Sequence, residues 1–155
     1  MDDRTTDRRR HERLVRSWLD DALEIGASAS MRAGVVRAGV HAVWLRSHPV
    51  MGEVTLAAIF QRVIDTGCKA FPALERIDLR MRETRTMAWE PIETAIADEV
   101  ADGLCFVLVE LLTVLGRLTG NALTPAVHAE LRCSRAAAWS SVDELQSTHT
   151  DGDER

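Results

Sequence analysis

Histidine side chains are the first candidates for chemistry, because imidazole is both a proton carrier near neutral pH and a metal ligand. The chain has five, namely His11, His41, His48, His128 and His149. No two of them stand four residues apart, the spacing that places two ligands on one face of a helix. The Glu-x-x-His pattern of di-iron helical bundles is also absent. We therefore predict no bound metal.

Nucleophilic catalysis requires a serine, threonine or cysteine beside a base, and a nucleophilic serine commonly stands on a sharp turn between a strand and a helix. The serines cluster instead in a small-residue linker at 28–30 and in the helical segment 134–141. The chain has no Gly-x-Gly-x-x-Gly motif and no phosphate-binding loop. We predict that the protein is not an enzyme and has neither catalytic residues nor a cofactor.

Glu110 is the carboxylate whose environment matters most, because it lies inside a run of apolar residues. If its side chain faced inward, it would need a cationic partner such as an arginine. Thr113 and Arg117 follow it on the same side of a helix, in line with the polar residues Glu99 and Asp102. This alignment favours an exposed polar stripe over a buried acid.

His48 and Gly52 stand four residues apart between two predicted helices. On a helical bundle this spacing resembles histidine phosphotransfer domains, in which a phosphorylatable histidine is followed by a cationic residue and a glycine on one helix face. Pro49 departs from that pattern, and no cationic residue follows His48. We favour a loop histidine or a helix cap at this position.

Helical periodicity dominates the sequence and predicts an all-α, single-domain bundle of about five helices. A chain of 155 residues is long enough for one such domain. The predicted helices cover 8–25, 31–46, 53–71, about 91–119 and 124–146. We expect a disordered N terminus over 1–7, the bundle over 8–145 and a disordered acidic tail over 146–155.

The predicted helix 91–119 is apolar nearly all round from Leu104 onward, as expected of a helix that others surround. We expect it to be the central helix. The predicted centre of the core consists of Leu108, Leu111, Leu112 and Leu115 with Trp18, Val40, Phe60 and Leu131.

Two stretches have informative polar patterns. Residues 76–82 alternate apolar and polar in the period of a strand, yet their apolar residues also fit one helical face, and we favour a short helix because a lone strand would have no partner. On the first helix, Arg8, Glu12, Arg16 and Asp20 alternate in sign at steps of four, the spacing of helical ion pairs. We expect this charged stripe to be a solvated face.

The net charge of -5 argues against a nucleic-acid binder, because contact with phosphates requires a basic surface. The most apolar run, 103–118, is shorter than a membrane-spanning helix and contains Glu110 and Arg117, so we predict no membrane insertion. The N-terminal residues contain no apolar signal segment. We therefore expect Cys68, Cys105 and Cys133 to be buried free thiols in a cytoplasmic protein.

These observations favour a non-enzymatic interaction or regulatory module that binds a protein partner, or a second copy of itself, through exposed helix faces. The candidate surface is a stripe on the last helix, where arginine stands beside tryptophan as in many protein interfaces. It consists of His128, Arg132, Arg135 and Trp139. The alternative is a ligand- or cofactor-binding domain whose pocket lies between the helix 91–119 and the helices 31–46 and 53–71.

Overall fold

A computed structural model of the chain describes residues 3–23, 25–77 and 94–133. All regular structure in these ranges is helical, which confirms the predicted all-α class. The four complete α-helices are α1 (Asp3–Ala22), α2 (Ala29–Met51), α3 (Glu53–Ala70) and α4 (Ala97–Leu118). A fifth helix, α5, covers 124–133. Short 3-10 helices lie at Pro72–Arg76 and Thr94–Ile96.

The central helix is α4, which packs against α1, α2 and α3. This confirms the position predicted for the helix 91–119. All eight residues predicted for the centre of the core are buried and belong to one apolar cluster. Four of them are leucines of α4; the others are Trp18 on α1, Val40 on α2, Phe60 on α3 and Leu131 on α5.

Close helix contacts on one side of α4 depend on glycine. A Cβ atom added to Gly103 would lie 2.8 Å from Cγ of Leu74, and one added to Gly67 would lie 2.8 Å from a methyl carbon of Val107. Neither position has room for a side chain unless its neighbour moves. The absence of side chains therefore lets α3 and the 3-10 helix Pro72–Arg76 pack directly against α4.

Several helix ends differ from those predicted. Helix α1 already begins at Asp3, within the segment 1–7 that we expected to be disordered. Helix α2 begins at Ala29 and not at 31, and the Ser28 side chain accepts the capping hydrogen bond from Met31 N, at 3.2 Å. Helix α2 continues through Pro49 and ends where Gly52 has a φ of 75°. The missing N–H of Pro49 costs the helix one hydrogen bond, near the surface, where water can replace it.

Some predicted features lie outside the described residues. Ile77 is extended after the 3-10 helix, and 78–82 are not described, so the prediction of a short helix over 76–82 is untested there. The same holds for the start at 91 of the predicted helix 91–119 and for the tail 146–155.

Candidate functional site

Glu110 on α4 is buried, with 9% of its surface exposed, so the expected exposed position is wrong. Its Oε1 atom lies 2.9 Å from Nη1 of Arg8, which also contacts Glu12 Oε1 through Nε at 3.1 Å. The Arg8 guanidinium carbon stands 5.3 Å from the centre of the Phe106 ring. We call Arg8, Glu12 and Glu110 the Arg8 cluster. Because α1 packs beside α4, Arg8 supplies the cation that the buried Glu110 needs.

Thr113 is buried as well, one turn along α4 from Glu110. Its hydroxyl donates to the carbonyl of Val109 at 2.8 Å, and its oxygen lies 3.1 Å from Nδ1 of His11. Because the single hydroxyl proton is already donated to Val109, Nδ1 of His11 must carry the proton and donate to Thr113. This histidine therefore holds α1 against α4 and does not act as a base toward Thr113.

His128 on α5 meets His11 edge to face, with ring centres 6.1 Å apart. Its Nε2 atom is buried and has no hydrogen-bond partner among the described residues. Burial lowers the pKa of His128, and the charges of His11, Arg10 and Arg132 lower it further. Burial also lowers the pKa of His11; Asp7 opposes that shift, and Arg10 adds to it. Both rings are therefore neutral at neutral pH.

The structure describes only part of the candidate surface on the last helix. The ring of His128 points inward to His11 and not outward as expected, whereas Arg132 is exposed. Arg135 and Trp139 lie outside the described residues, so their role as an interaction surface stays a prediction. The inner side of α5 is fixed to α1 by a hydrogen bond of 2.8 Å from Trp18 Nε1 to the carbonyl of Leu131.

An open groove of about 720 Å³ lies between α1 and α4 and reaches the start of α2. Its floor is apolar and carries the thiol of Cys105. Floor residues are Val15, Leu19, Leu23, Cys105, Phe106 and Val109. Its rim includes the charged stripe at positions 8, 12, 16 and 20, which we expected to be a plain solvated face. The stripe itself was visible in the sequence, but nothing there indicated that α4 would lie beside it.

The two ends of the groove have a similar charge arrangement. At one end, the Arg8 cluster holds one guanidinium between two carboxylates. At the other end, Nη2 of Arg32 lies 3.1 Å from Asp102 Oδ1 and 3.5 Å from Asp98 Oδ1. Each end therefore has one negative charge in excess, contributed by Glu110 or Asp98, neither of which lines the groove itself. Glu99, the other acid of the predicted polar stripe, is exposed and accepts a hydrogen bond from Ala73 N at 3.1 Å.

The three cysteines are free thiols, as predicted, but they are less buried than expected. Cys68 and Cys105 are partly exposed, and Cys133 is exposed. Burial raises the pKa of the Cys105 thiol to about 11; Arg32 opposes the shift, and Asp102 adds to it. Cys105 is therefore a neutral thiol at neutral pH and a poor nucleophile, because the thiolate is the reactive form.

His48 lies near the end of α2 and not in a loop, with its ring centre 6.0 Å from that of Trp44. Gly52 terminates that helix, so the two residues do not share a continuous helix face. In the described part of the chain, no three histidine, cysteine, aspartate or glutamate side chains group to hold a metal ion. Within the same ranges, no helix has the length and apolar character to cross a membrane.

The fold and the groove define the class as an all-α helical bundle with an elongated surface groove beside its central helix. Comparison with known protein families, curated proteins and solved structures finds no match to this chain. Function must therefore be argued from the groove itself.

Proposed function

We propose that this protein is a non-enzymatic interaction module that binds a basic amphipathic helix of a partner protein in the groove between α1 and α4. The observation that carries the proposal is the groove itself, which combines an apolar floor with a charged rim. Amphipathic helices that dock in grooves place an apolar face inward and keep their polar face in water.

The shape of the floor favours a helix as the ligand. Val15 and Leu19 on α1 and Leu23, one residue past its end, repeat every fourth residue and form a stripe of about 12 Å at 1.5 Å per residue. Val15 and Leu19 are buried, so most of the open surface of this stripe belongs to Leu23. Ile25, whose side chain is fully exposed, extends this stripe beyond the end of α1. Such a stripe matches the apolar residues on two to three turns of a partner helix.

The charges around the groove favour a basic partner. The charged residues that line the groove balance one another, with three arginines and three carboxylates. The negative excess of one at either end comes from Glu110 and Asp98, which pair with Arg8 and Arg32 next to the lining. On the rim between them, Arg16 and Asp20 balance each other. The whole chain has a net charge of -5. Lysine or arginine residues flanking the apolar face of a partner would complement these ends and speed its association.

The alternative, a small-molecule binding domain, is less well supported by the groove. The expected pocket lay between α4 and helices α2 and α3, whereas this groove lies on the α1 side of α4. A small apolar ligand in an open groove would leave much of its surface in water, and ligand sites typically bury most of their ligand. The acidic ends also disfavour nucleic acid. The free thiols are consistent with the cytoplasm as the proposed compartment.

The proposal can be tested with two designed helical peptides that have the same leucine face, one with lysine and one with glutamate on the polar face. Fluorescence anisotropy of the labelled peptides measures binding. We expect the lysine peptide to bind, and the variants Leu23→Asn and Ile25→Asn to weaken binding by about tenfold or more. Val54→Asn is the matched control, because Val54 is equally apolar and exposed but lies on α3.

Two results would contradict the proposal. Equal affinity for the lysine and glutamate peptides would show that the charges around the groove do not select a basic partner. An equal loss of affinity in Val54→Asn would show that the groove is not the binding site. A third result would favour the alternative of a ligand-binding domain over the proposal: neither peptide binds, whereas a small apolar dye binds and Leu23→Asn weakens its binding.

A further inference from the structure

A second apolar surface lies at the corner between α2 and α3. Among the described residues, six large apolar side chains are exposed, and three of them lie within ten residues of one another here. Leu45 is 55% exposed, Val50 64% and Val54 85%. Isolated apolar side chains are common on surfaces, but a cluster of this kind marks a contact site.

The corner has a fixed shape. On the inner side of α2, the Trp44 ring packs edge to face on Phe60 of α3, with ring centres 5.0 Å apart. The Gly52 residue alone connects the two helices. Because this packing and the one-residue connection hold α2 against α3, a partner would meet a preformed surface and would not have to order it.

Both helices present small or apolar residues outward next to the three large ones. On α2, Pro49 is exposed one turn after Leu45, and on α3 the exposed residues Ala57 and Ala58 follow Val54 by one turn. Alanine side chains are short, so a second helix can approach the start of α3 closely. We call Leu45, Pro49, Val50, Val54, Ala57 and Ala58 the corner patch.

The charges beside the corner patch point to its partner. Arg46 lies on the exposed face of α2 between Leu45 and Val50, and Glu53 is the first residue of α3. Neither has an ion-pair partner within the described ranges. In a two-fold dimer the same surface of each copy faces the other. If a cation of the first copy contacts an anion of the second, the same anion of the first copy also contacts the same cation of the second. One positive and one negative charge beside an apolar patch satisfy this condition.

We infer that the corner patch is the self-association surface of this protein, in which a second copy of the chain docks by two-fold symmetry. The apolar residues of the two patches bury one another. Arg46 of each copy pairs with Glu53 of the other. The patch is balanced in charge, in contrast to the acidic ends of the groove, so it suits a copy of itself better than a basic partner.

Sedimentation velocity over a wide range of protein concentration tests this inference. We expect a monomer–dimer equilibrium whose dissociation constant rises about tenfold or more in Val54→Asn and in Arg46→Glu. The double variant Arg46→Glu with Glu53→Arg exchanges the two charges and should restore dimerisation. Ile25→Asn, in the groove, is the control and should leave the equilibrium unchanged.

A protein that is monomeric at every concentration overturns the inference. So does a dimer that is insensitive to Val54→Asn, or a double variant that dimerises no better than Arg46→Glu alone. Since Ile25→Asn and Val54→Asn serve as reciprocal controls, failure of this inference is distinguishable from failure of the proposed groove. Circular dichroism of each variant checks that the fold is intact.

Discussion

The two sides of α4 are packed in different ways. Toward α3 and the 3-10 helix Pro72–Arg76, the contacts around Gly67 and Gly103 are apolar and so close that neither glycine leaves room for a Cβ atom. Toward α1, the same helix presents Glu110 and Thr113, which are buried and matched by polar partners. Apolar packing tolerates many arrangements of similar volume, whereas buried polar groups must meet particular partners. The α1 side therefore fixes the alignment of the helices, whereas the α3 side depends on close apolar packing.

The largest expected effect lies on the apolar side. Leu74→Ala removes a fully buried side chain that fills the space beside Gly103, and we expect it to lower the free energy of unfolding by about 2–5 kcal/mol. Urea denaturation measures this change. A loss below about 1 kcal/mol would show that the surrounding residues collapse into the space and that this side is less tightly packed than described.

A substitution at Gly103 sharpens the same point. We expect Gly103→Ala to cost about 1–3 kcal/mol, because the new Cβ atom would meet the branched carbon of Leu74. Combined with Leu74→Ala, the cost of Gly103→Ala should largely disappear, since the atoms that it meets are gone. Additive losses in the double-mutant cycle would contradict the proposed contact.

On the polar side, Arg8→Met leaves Glu110 without its cationic partner but keeps an apolar chain over Phe106. We expect a loss of about 1–2 kcal/mol, smaller than for a fully buried pair because the Arg8 side chain is 42% exposed. Glu12→Gln removes only the exposed half of the Arg8 cluster and should cost less than about 0.5 kcal/mol. Equal losses for the two variants would show that burial of Glu110 contributes nothing.

The smallest expected effect is a pH dependence of the histidine contacts. The pKa of His11 and of His128 is lowered from the ordinary value of 6.5 in the folded protein, so the unfolded chain takes up protons first as the pH falls. The stability contributed by the two neutral histidines is fully present above pH 6.5, the ordinary pKa of the unfolded chain. It is lost as the pH falls from 6.5 toward the pKa values of His11 and His128 in the folded protein. Between pH 8 and 5.5, the free energy of unfolding measured by urea denaturation should fall less in His11→Asn than in the wild type.

Asn is chosen because its amide can still donate to Thr113 in place of Nδ1. The pKa of His41 is also lowered by burial, so the variant should keep part of the wild-type pH dependence. A slope in His11→Asn identical to that of the wild type would show that His11 does not contribute to the pH dependence in this range.

Periodicity within single helices made much of the fold predictable. The apolar spacing located the helices and the centre of the core, because a buried stripe leaves its period in the sequence. Helix ends were less reliable. Helix α2 passes through Pro49, because one lost hydrogen bond near the surface costs less than the packing gained by Met51 and by the His48 ring beside Trp44. Such a balance depends on tertiary contacts.

The site was harder to predict, because it is formed between helices. The sequence indicated that a buried Glu110 would need an arginine, but nothing local pointed to Arg8, which is 102 positions away. The stripe of alternating charges on α1 was recognised, and only the position of α4 beside it makes that stripe the rim of a groove. Sequence patterns describe the faces of helices, whereas a groove depends on which faces meet.

The distance in sequence between α1 and its partners has a consequence for synthesis. The hydrogen bonds from His11 to Thr113 and from Trp18 to Leu131 join residues 102 and 113 positions apart. On the ribosome, α1 emerges before α4 and α5, so its buried face has no complete partner until nearly all of the described chain has been made. During that interval Val15, Trp18 and Leu19 are open to water and to other nascent chains. Docking of α1 onto α4 and α5 therefore cannot be completed until α5 has been made.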